Sequence, residues 1–276
     1  MPEQTQGILM DVYWLQQTDA DVPAADDWLS EWEAIFLRRL RFTKRRWDWR
    51  LGRWTAKQAV ALFLNMPTQR ETLVSIEIRP AASGVPEVFF ADQPAPITIS
   101  LSHRDGAAVC AVAPERAALG CDLEVIEPRS DAFVADYFTP EEQTFVAQAS
   151  AADRPRLLAL LWSAKESTLK ALRTGLRLDT RCVVVKPVDT LQRWGEPAAC
   201  SSGIWYPLQV SHNQEEIFHG WWRQTGNLLQ TLVATPRPSP PISLAPHDLS
   251  SPTEMPRYSA DLHARTSAIV GAGNRT

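Results

Sequence analysis

The chain has 276 residues, 45% of them hydrophobic, and a formal net charge of −4. That is apolar material for one large or two small domains, and the acidic balance argues against a general nucleic-acid binder. No apolar run approaches the ~20 residues needed to cross a bilayer, and the four cysteines (Cys110, Cys121, Cys182, Cys200) show no Cys-x-x-Cys pairing. The start Met1-Pro2-Glu3-Gln4 lacks the basic and apolar regions of a signal peptide, so a cytoplasmic protein with no membrane partner is expected.

Gly7 to Leu15 reads as a first strand, with Ile8, Met10, Val12 and Trp14 on one face. From Asp26 the pattern turns helical, and Trp28, Leu29, Trp32, Ile35, Phe36, Arg39 and Leu40 trace one stripe with a basic margin. A second helix follows from about Arg46 to Asn65, stopped near Pro67. Its tryptophans Trp47, Trp49 and Trp54 fall at helical spacing and are expected in the core. Arg38, Arg39, Arg41, Lys44, Arg45, Arg46, Arg50, Arg53 and Lys57 crowd this stretch. Like charges so concentrated repel unless they collect an anion, and arginine's bidentate donors suit phosphate.

Residues 72 to 79 and 86 to 90 read as short strands around a Ser83-Gly84-Val85-Pro86 turn. Ile97 to His103 and Ala107 to Ala113 form a hairpin with polar groups, Ser102-His103 and Arg104-Asp105-Gly106, at its tip. Pro114 to Ala118 is a hinge. Beyond it Leu119 to Ile126 alternates like a strand, so Asp122 and Glu124 project from one face. Helices follow at about 131 to 137 and 140 to 150, the second with Thr139 as cap, Pro140 in its first turn and Glu142 three residues beyond the cap. Glu127, Glu141 and Glu142 are assigned to loop solvation and helix-start electrostatics.

Residues 155 to 173 carry Leu157, Leu158, Leu161, Trp162, Leu169 and Leu172 at helical spacing, which puts Glu166 and Lys170 one turn apart on a common stripe. Arg181 to Val188, Ile204 to Val210, Ile217 to Trp222 and Leu228 to Ala234 then read as strands, with Trp205, Trp221 and Trp222 in their core. From 236 onward the composition shifts to Pro, Ser and Ala, the mark of a disordered or loosely attached tail. The fold class is α/β (α+β), with an amino-terminal half over 1–115, a carboxy-terminal half over 116–235 and the tail over 236–276. His212, His219, His247 and His263 have no metal-ligand spacing.

Two acids on a strand and one on a helix offer what a hard, octahedral cation such as Mg2+ requires, with water and substrate phosphate completing the shell. Each motif alone has a plainer reading. A Glu followed by a Lys at i,i+4 stabilises a helix by roughly 0.2 to 0.5 kcal/mol, and Asp-x-Glu on a strand is commonly a solvated sheet face. The combination in order is more specific. Gly120-Cys121-Asp122-Leu123-Glu124, then Phe138-Thr139-Pro140-Glu141-Glu142, then Trp162-Ser163-Ala164-Lys165-Glu166 through Lys170, and Gly175-Leu176, resembles the signature of the 4'-phosphopantetheinyl transferases. Ser102-His103 upstream is similar to the longer, surfactin-synthetase-activating branch, and the resemblance spans roughly residues 38 to 185.

The resemblance implies a monomeric pseudo-dimer of two similar α/β halves with the active site between them. It further implies transfer of 4'-phosphopantetheine from coenzyme A to a serine of an apo acyl or peptidyl carrier protein. On that reading Asp122, Glu124 and Glu166 are metal ligands for Mg2+, and Glu166, Lys170 and Asp122 are catalytic. Arg45, Arg53, Ser102 and His103 bind coenzyme A with Asp122, Glu166 and Lys170, and residues 137 to 150 are a contact surface for the carrier. Two departures stand out: Val85 replaces the lysine of the family's Gly-Lys-Pro, and Arg104 replaces a small residue. The competing readings are a non-catalytic module that binds carrier proteins or a nucleotide, and a Mg2+-dependent phosphodiesterase with a water nucleophile. Three clustered carboxylates that repel one another without a cation argue against the first.

Overall fold

Residues 9–115, 117–187, 203–213 and 216–244 are described by the computed structural model. In chain order the elements are β1 (Tyr13–Thr18), α1 (Glu31–Arg39), α2 (Thr43–Phe63), α3 (Arg70–Ser75), β2 (Ile76–Pro80), β3 (Pro86–Phe90), β4 (Gln93–Pro94), β5 (Ile97–Arg104), β6 (Ala107–Pro114) and β7 (Ala118–Val125). There follow α4 (Asp131–Tyr137), α5 (Pro140–Gln148), α6 (Arg154–Ala171), β8 (Val183–Pro187), β9 (Tyr206–His212), β10 (Glu216–Thr225), β11 (Leu228–Thr235) and β12 (Ile242–Ser243). The described residues fall into an amino-terminal unit, from Tyr13 to 115 with 242–244, and a carboxy-terminal unit, from 117 to Pro241 with 9–12. No helix among them is long and apolar enough to cross a membrane.

In the amino-terminal unit the sheet runs β12-β1-β6-β5, and β2-β3-β4 form a second small sheet. The β5–β6 hairpin turns through Asp105 (φ 51) and Gly106 (φ 70), the left-handed pair that matches the twist of a two-residue hairpin. Helix α2 packs on β1 and β6. Between helix and sheet lie Ala56, Ala59, Val60 and Phe63 with Tyr13, Leu15, Cys110 and Val112.

In the carboxy-terminal unit a five-stranded antiparallel sheet runs β7-β11-β10-β9-β8. Helix α6 lies across β7 and β11, burying Leu157, Leu158, Leu161 and Leu169 against Val183, Val210, Leu229 and Val233. The Thr139/Glu142 capping box that opens α5 forms as the sequence predicts.

Each unit is pinned by the same device. In α1 the capping-box Glu33 is fully buried, accepts the Ile78 N–H at 3.2 Å and pairs with Lys57 of α2. Lys57 also donates to the Trp28 and Leu73 carbonyls. In α5 the capping-box Glu142 accepts the Val185 N–H at 3.0 Å and pairs with Lys165 of α6 at 2.8 Å, while Lys165 donates to the Thr180 and Val183 carbonyls. Each lysine sits over an aromatic ring, Trp28 at 5.8 Å and Phe138 at 5.6 Å. A buried charge survives because its own polar atoms are paired and hydrogen-bonded.

Several expectations change. Residues 70–75 are helical, because Leu73 packs under α2 and hands its carbonyl to Lys57; the apolar run is too short for periodicity to decide. The first strand starts at Tyr13, although Met10 bridges Pro238. Helix α1 starts at Glu31 rather than Asp26, since Ser30 caps it. Residues 236–244 are not loose: Ser239 bonds Met10 and Asp11, and β12 pairs with β1. Residues 245–276, the rest of that tail, lie outside the described residues, as do residues 7 and 8 and Cys200. Trp47 is 47% exposed, beside Arg50, rather than in the core. Glu142 serves the start of α5 as expected, accepting from the Thr139 N–H, and is in addition a buried partner of Lys165.

Candidate active site

The carboxylate cluster of the carboxy-terminal unit is created by the approach of α6 to β7. A Cβ built on Gly120 would stand 1.7 Å from the Ser167 carbonyl oxygen, so only glycine lets the helix lie this close. Small hydroxyls complete the contact: Ser163 and Ser167 reach the Thr231 hydroxyl of β11 at 2.9 and 2.7 Å. The helix thereby presents Trp162, Glu166 and Lys170 to the face of β7 that carries Asp122 and Glu124, both buried.

Lys170 Nζ donates to Asp122 Oδ1 at 2.8 Å and to the Cys121 carbonyl at 3.0 Å. Burial works against its charge, but Asp122 and its other neighbours outweigh burial and raise the ammonium above the ordinary lysine range. Glu124 Oε1 accepts from Trp162 Nε1 at 3.1 Å and Oε2 from Arg129 Nη2 at 3.1 Å. Glu166 is half-buried, and its carboxyl is pushed up from 4.5 to about 6 by burial and then by Asp122 and Glu124, with Lys170 opposing.

Asp122, Glu124, Glu166 and Lys170 are thus brought together, as the motif spacing predicts. Among the described residues, however, no three His, Cys, Asp or Glu side chains are arranged to hold a metal ion. Two of the three carboxylates point to cations and an indole of their own chain. The donor set still suits a hard divalent ion. It is all oxygen, and beyond the effect of burial Asp122 and Glu124 both raise Glu166, a mutual repulsion that such an ion would relieve.

In the amino-terminal unit, Arg53, Ser102 and His103 line one cavity of about 290 Å3 with Asp48, Trp49, Gly52, Pro80, Gly84 and Pro86. The turn that forms one wall is closed by Ala81 and Val85, whose backbones bond at 2.8 Å, with Gly84 at φ 91. Arg53 lies over the Trp49 ring at 4.7 Å, its Nε 3.8 Å from Glu33. Burial lowers its pKa and Glu33 opposes the shift. Its buried Nε has no hydrogen-bond partner among the described residues. An arginine donor left unanswered at a cavity wall is what a phosphate or other anion would satisfy. Arg45 is exposed and does not line the cavity, so the structure separates it from Arg53, Ser102 and His103.

Trp49 packs against the core of its unit, as expected, but also lines the cavity with Asp48, a role that sequence reasoning missed for both; they lie one turn before Gly52-Arg53, where helical spacing could have found them. Trp162 lies one turn before Glu166 and could be found the same way. Arg129 follows the strand in a loop, and no periodicity marks it.

Residues 118–216 match the model of the 4'-phosphopantetheinyl transferase superfamily. No curated protein sequence matches the chain significantly. Among solved structures, the chain is similar to Helicobacter pylori holo-[acyl-carrier-protein] synthase in complex with coenzyme A, at 17% identity over 38% of this chain and 99% of that one, with a TM-score of 0.27. At that score the overlay carries no weight for fold or function. The matched segment holds β7 and α6 entire, and with them all four members of the carboxylate cluster.

Proposed function

We propose that the chain transfers the 4'-phosphopantetheine moiety of coenzyme A to a serine hydroxyl of an apo acyl or peptidyl carrier protein, releasing adenosine 3',5'-bisphosphate, and that it acts as a cytoplasmic monomer of pseudo-dimeric fold. The observation that carries this reading is the meeting of Asp122, Glu124, Glu166 and Lys170 inside the segment that matches the transferase superfamily.

In the reaction the carrier serine oxygen bonds to the β-phosphorus, the bond from that phosphorus to the bridging oxygen breaks, and the hydroxyl proton leaves. Glu166, which stands one turn before Lys170 on α6, is the carboxylate assigned to accept that proton. Lys170, held charged by Asp122, faces the negative charge that gathers on the departing oxygen. Arg53, with Ser102 and His103, is assigned the nucleotide phosphate, and Arg45 a peripheral phosphate contact. Mg2+ held by Asp122, Glu124 and Glu166 would neutralise the diphosphate as a Lewis acid.

The test is incubation with coenzyme A, Mg2+ and a panel of apo carrier proteins, read by intact mass. One phosphopantetheine is expected on at least one carrier. Coenzyme A consumed without any carrier would show a hydrolase, and neither consumption nor transfer would leave a binding module.

A further inference from the structure

The carboxylate cluster holds one more cation than its motif supplies. Arg129 lies in the loop between β7 and α4 and reaches back to Glu124, 3.1 Å from Oε2, with the carboxylate side chain only 11% exposed. The same guanidinium is 3.2 Å from Glu127, which is 42% exposed, and 5.2 Å from the Phe133 ring of α4. Phe133 in turn meets Trp162 edge-on at 5.1 Å, and Trp162 holds the other oxygen of Glu124. Arg129 is therefore placed between two acids, one inside the cluster and one at its rim.

We propose that Arg129 is a built-in substitute for the divalent cation at Glu124, so that guanidinium and metal exclude one another at this carboxylate. The inference rests on the metal reading above. Each carboxylate oxygen has lone pairs enough for two partners, so geometry alone does not force the exclusion; charge does, because a dication and a guanidinium on one poorly hydrated carboxylate repel strongly. Glu127 gives the displaced arginine somewhere to go without leaving its loop. Arg129 thus sets the threshold of metal binding, keeping Glu124 neutralised until the ion arrives.

The test is Mn2+ binding to the full chain without coenzyme A, read by the electron paramagnetic resonance of free Mn2+, for the unaltered protein and for Arg129→Ala, Arg129→Gln and Arg129→Lys. Removing the charge should tighten Mn2+ by about tenfold in both the Ala and Gln forms, whereas Lys should stay within about twofold. The Gln form keeps a donor for Glu124 and so guards against a packing effect of Ala. Unchanged or weaker Mn2+ binding in both neutral forms overturns the proposal. Absence of saturable Mn2+ binding in the unaltered chain would remove the metal reading itself, and this inference with it.

Discussion

The two units use one plan for opposite ends. Each sets a long helix on a sheet, pins it with a buried lysine and answers that lysine with a capping-box glutamate from the preceding helix. The helices even share a sequence, Trp54-Thr55-Ala56-Lys57-Gln58 in α2 and Trp162-Ser163-Ala164-Lys165-Glu166 in α6. What differs is the strand beneath. Under α6 it carries Gly120, Asp122 and Glu124; under α2 the same alternation carries Tyr13, Leu15 and Gln17. Tyr13 meets Phe63 ring to ring at 5.2 Å, filling the space that Gly120 leaves open for the Ser167 backbone. Glu166 and Lys170 have Gln58 and Leu62 as their counterparts. One scaffold therefore supports either an apolar core or a charged centre, and a few residues decide which.

The largest effect on this comparison is expected at Gly120. Valine there collides with the Ser167 carbonyl, a backbone atom that cannot move aside, and should cost more than about 5 kcal/mol, read as loss of a cooperative unfolding transition. Next come the pins. Lys57→Met and Lys165→Met each strand a buried glutamate and should each cost about 3 to 5 kcal/mol by chemical denaturation. Similar losses would support a shared plan, and a large cost in only one unit would break it.

Smaller is the effect of Glu166→Gln on the stability of metal-free protein. A carboxyl raised from 4.5 to about 6 favours the native state most below pH 4.5, and that contribution is lost as pH rises through about 6. Glutamine should therefore add about 2 kcal/mol at pH 8 and nothing near pH 4, at roughly 1.4 kcal/mol per unit. The reciprocal Gln58→Glu, which buries a carboxylate under α2, should destabilise at pH 8 instead. Smallest is Trp162→Phe, which keeps the ring and removes the donor to Glu124, with a cost of about 1 to 2 kcal/mol.

The carboxylate cluster was legible because its spacing is the spacing of regular structure: i,i+2 on β7 and i,i+4 on α6 fix which side chains share a face. The β5–β6 hairpin and the Thr139 cap were legible for the same local reasons. Long-range choices were not. That residues 70–75 would coil under α2 depends on Lys57, and that Ser239 and Ile242 would return to the sheets depends on partners more than 200 residues away. Arg129 was hidden because the turn of a loop, not a helix or strand spacing, brings it back to Glu124, and the cavity role of Trp49 because a helical stripe of aromatics reads as core whether or not it also faces a cavity.

The central claim is that the charged centre under α6 performs the chemistry. Its most direct test is the mass of an apo carrier protein accepted by the unaltered chain, after incubation with coenzyme A, Mg2+ and the Glu166→Gln form, with circular dichroism confirming the fold. The account predicts a folded protein and no phosphopantetheine gain on the time scale of complete transfer by the unaltered chain. Full conversion of the carrier by Glu166→Gln would contradict it.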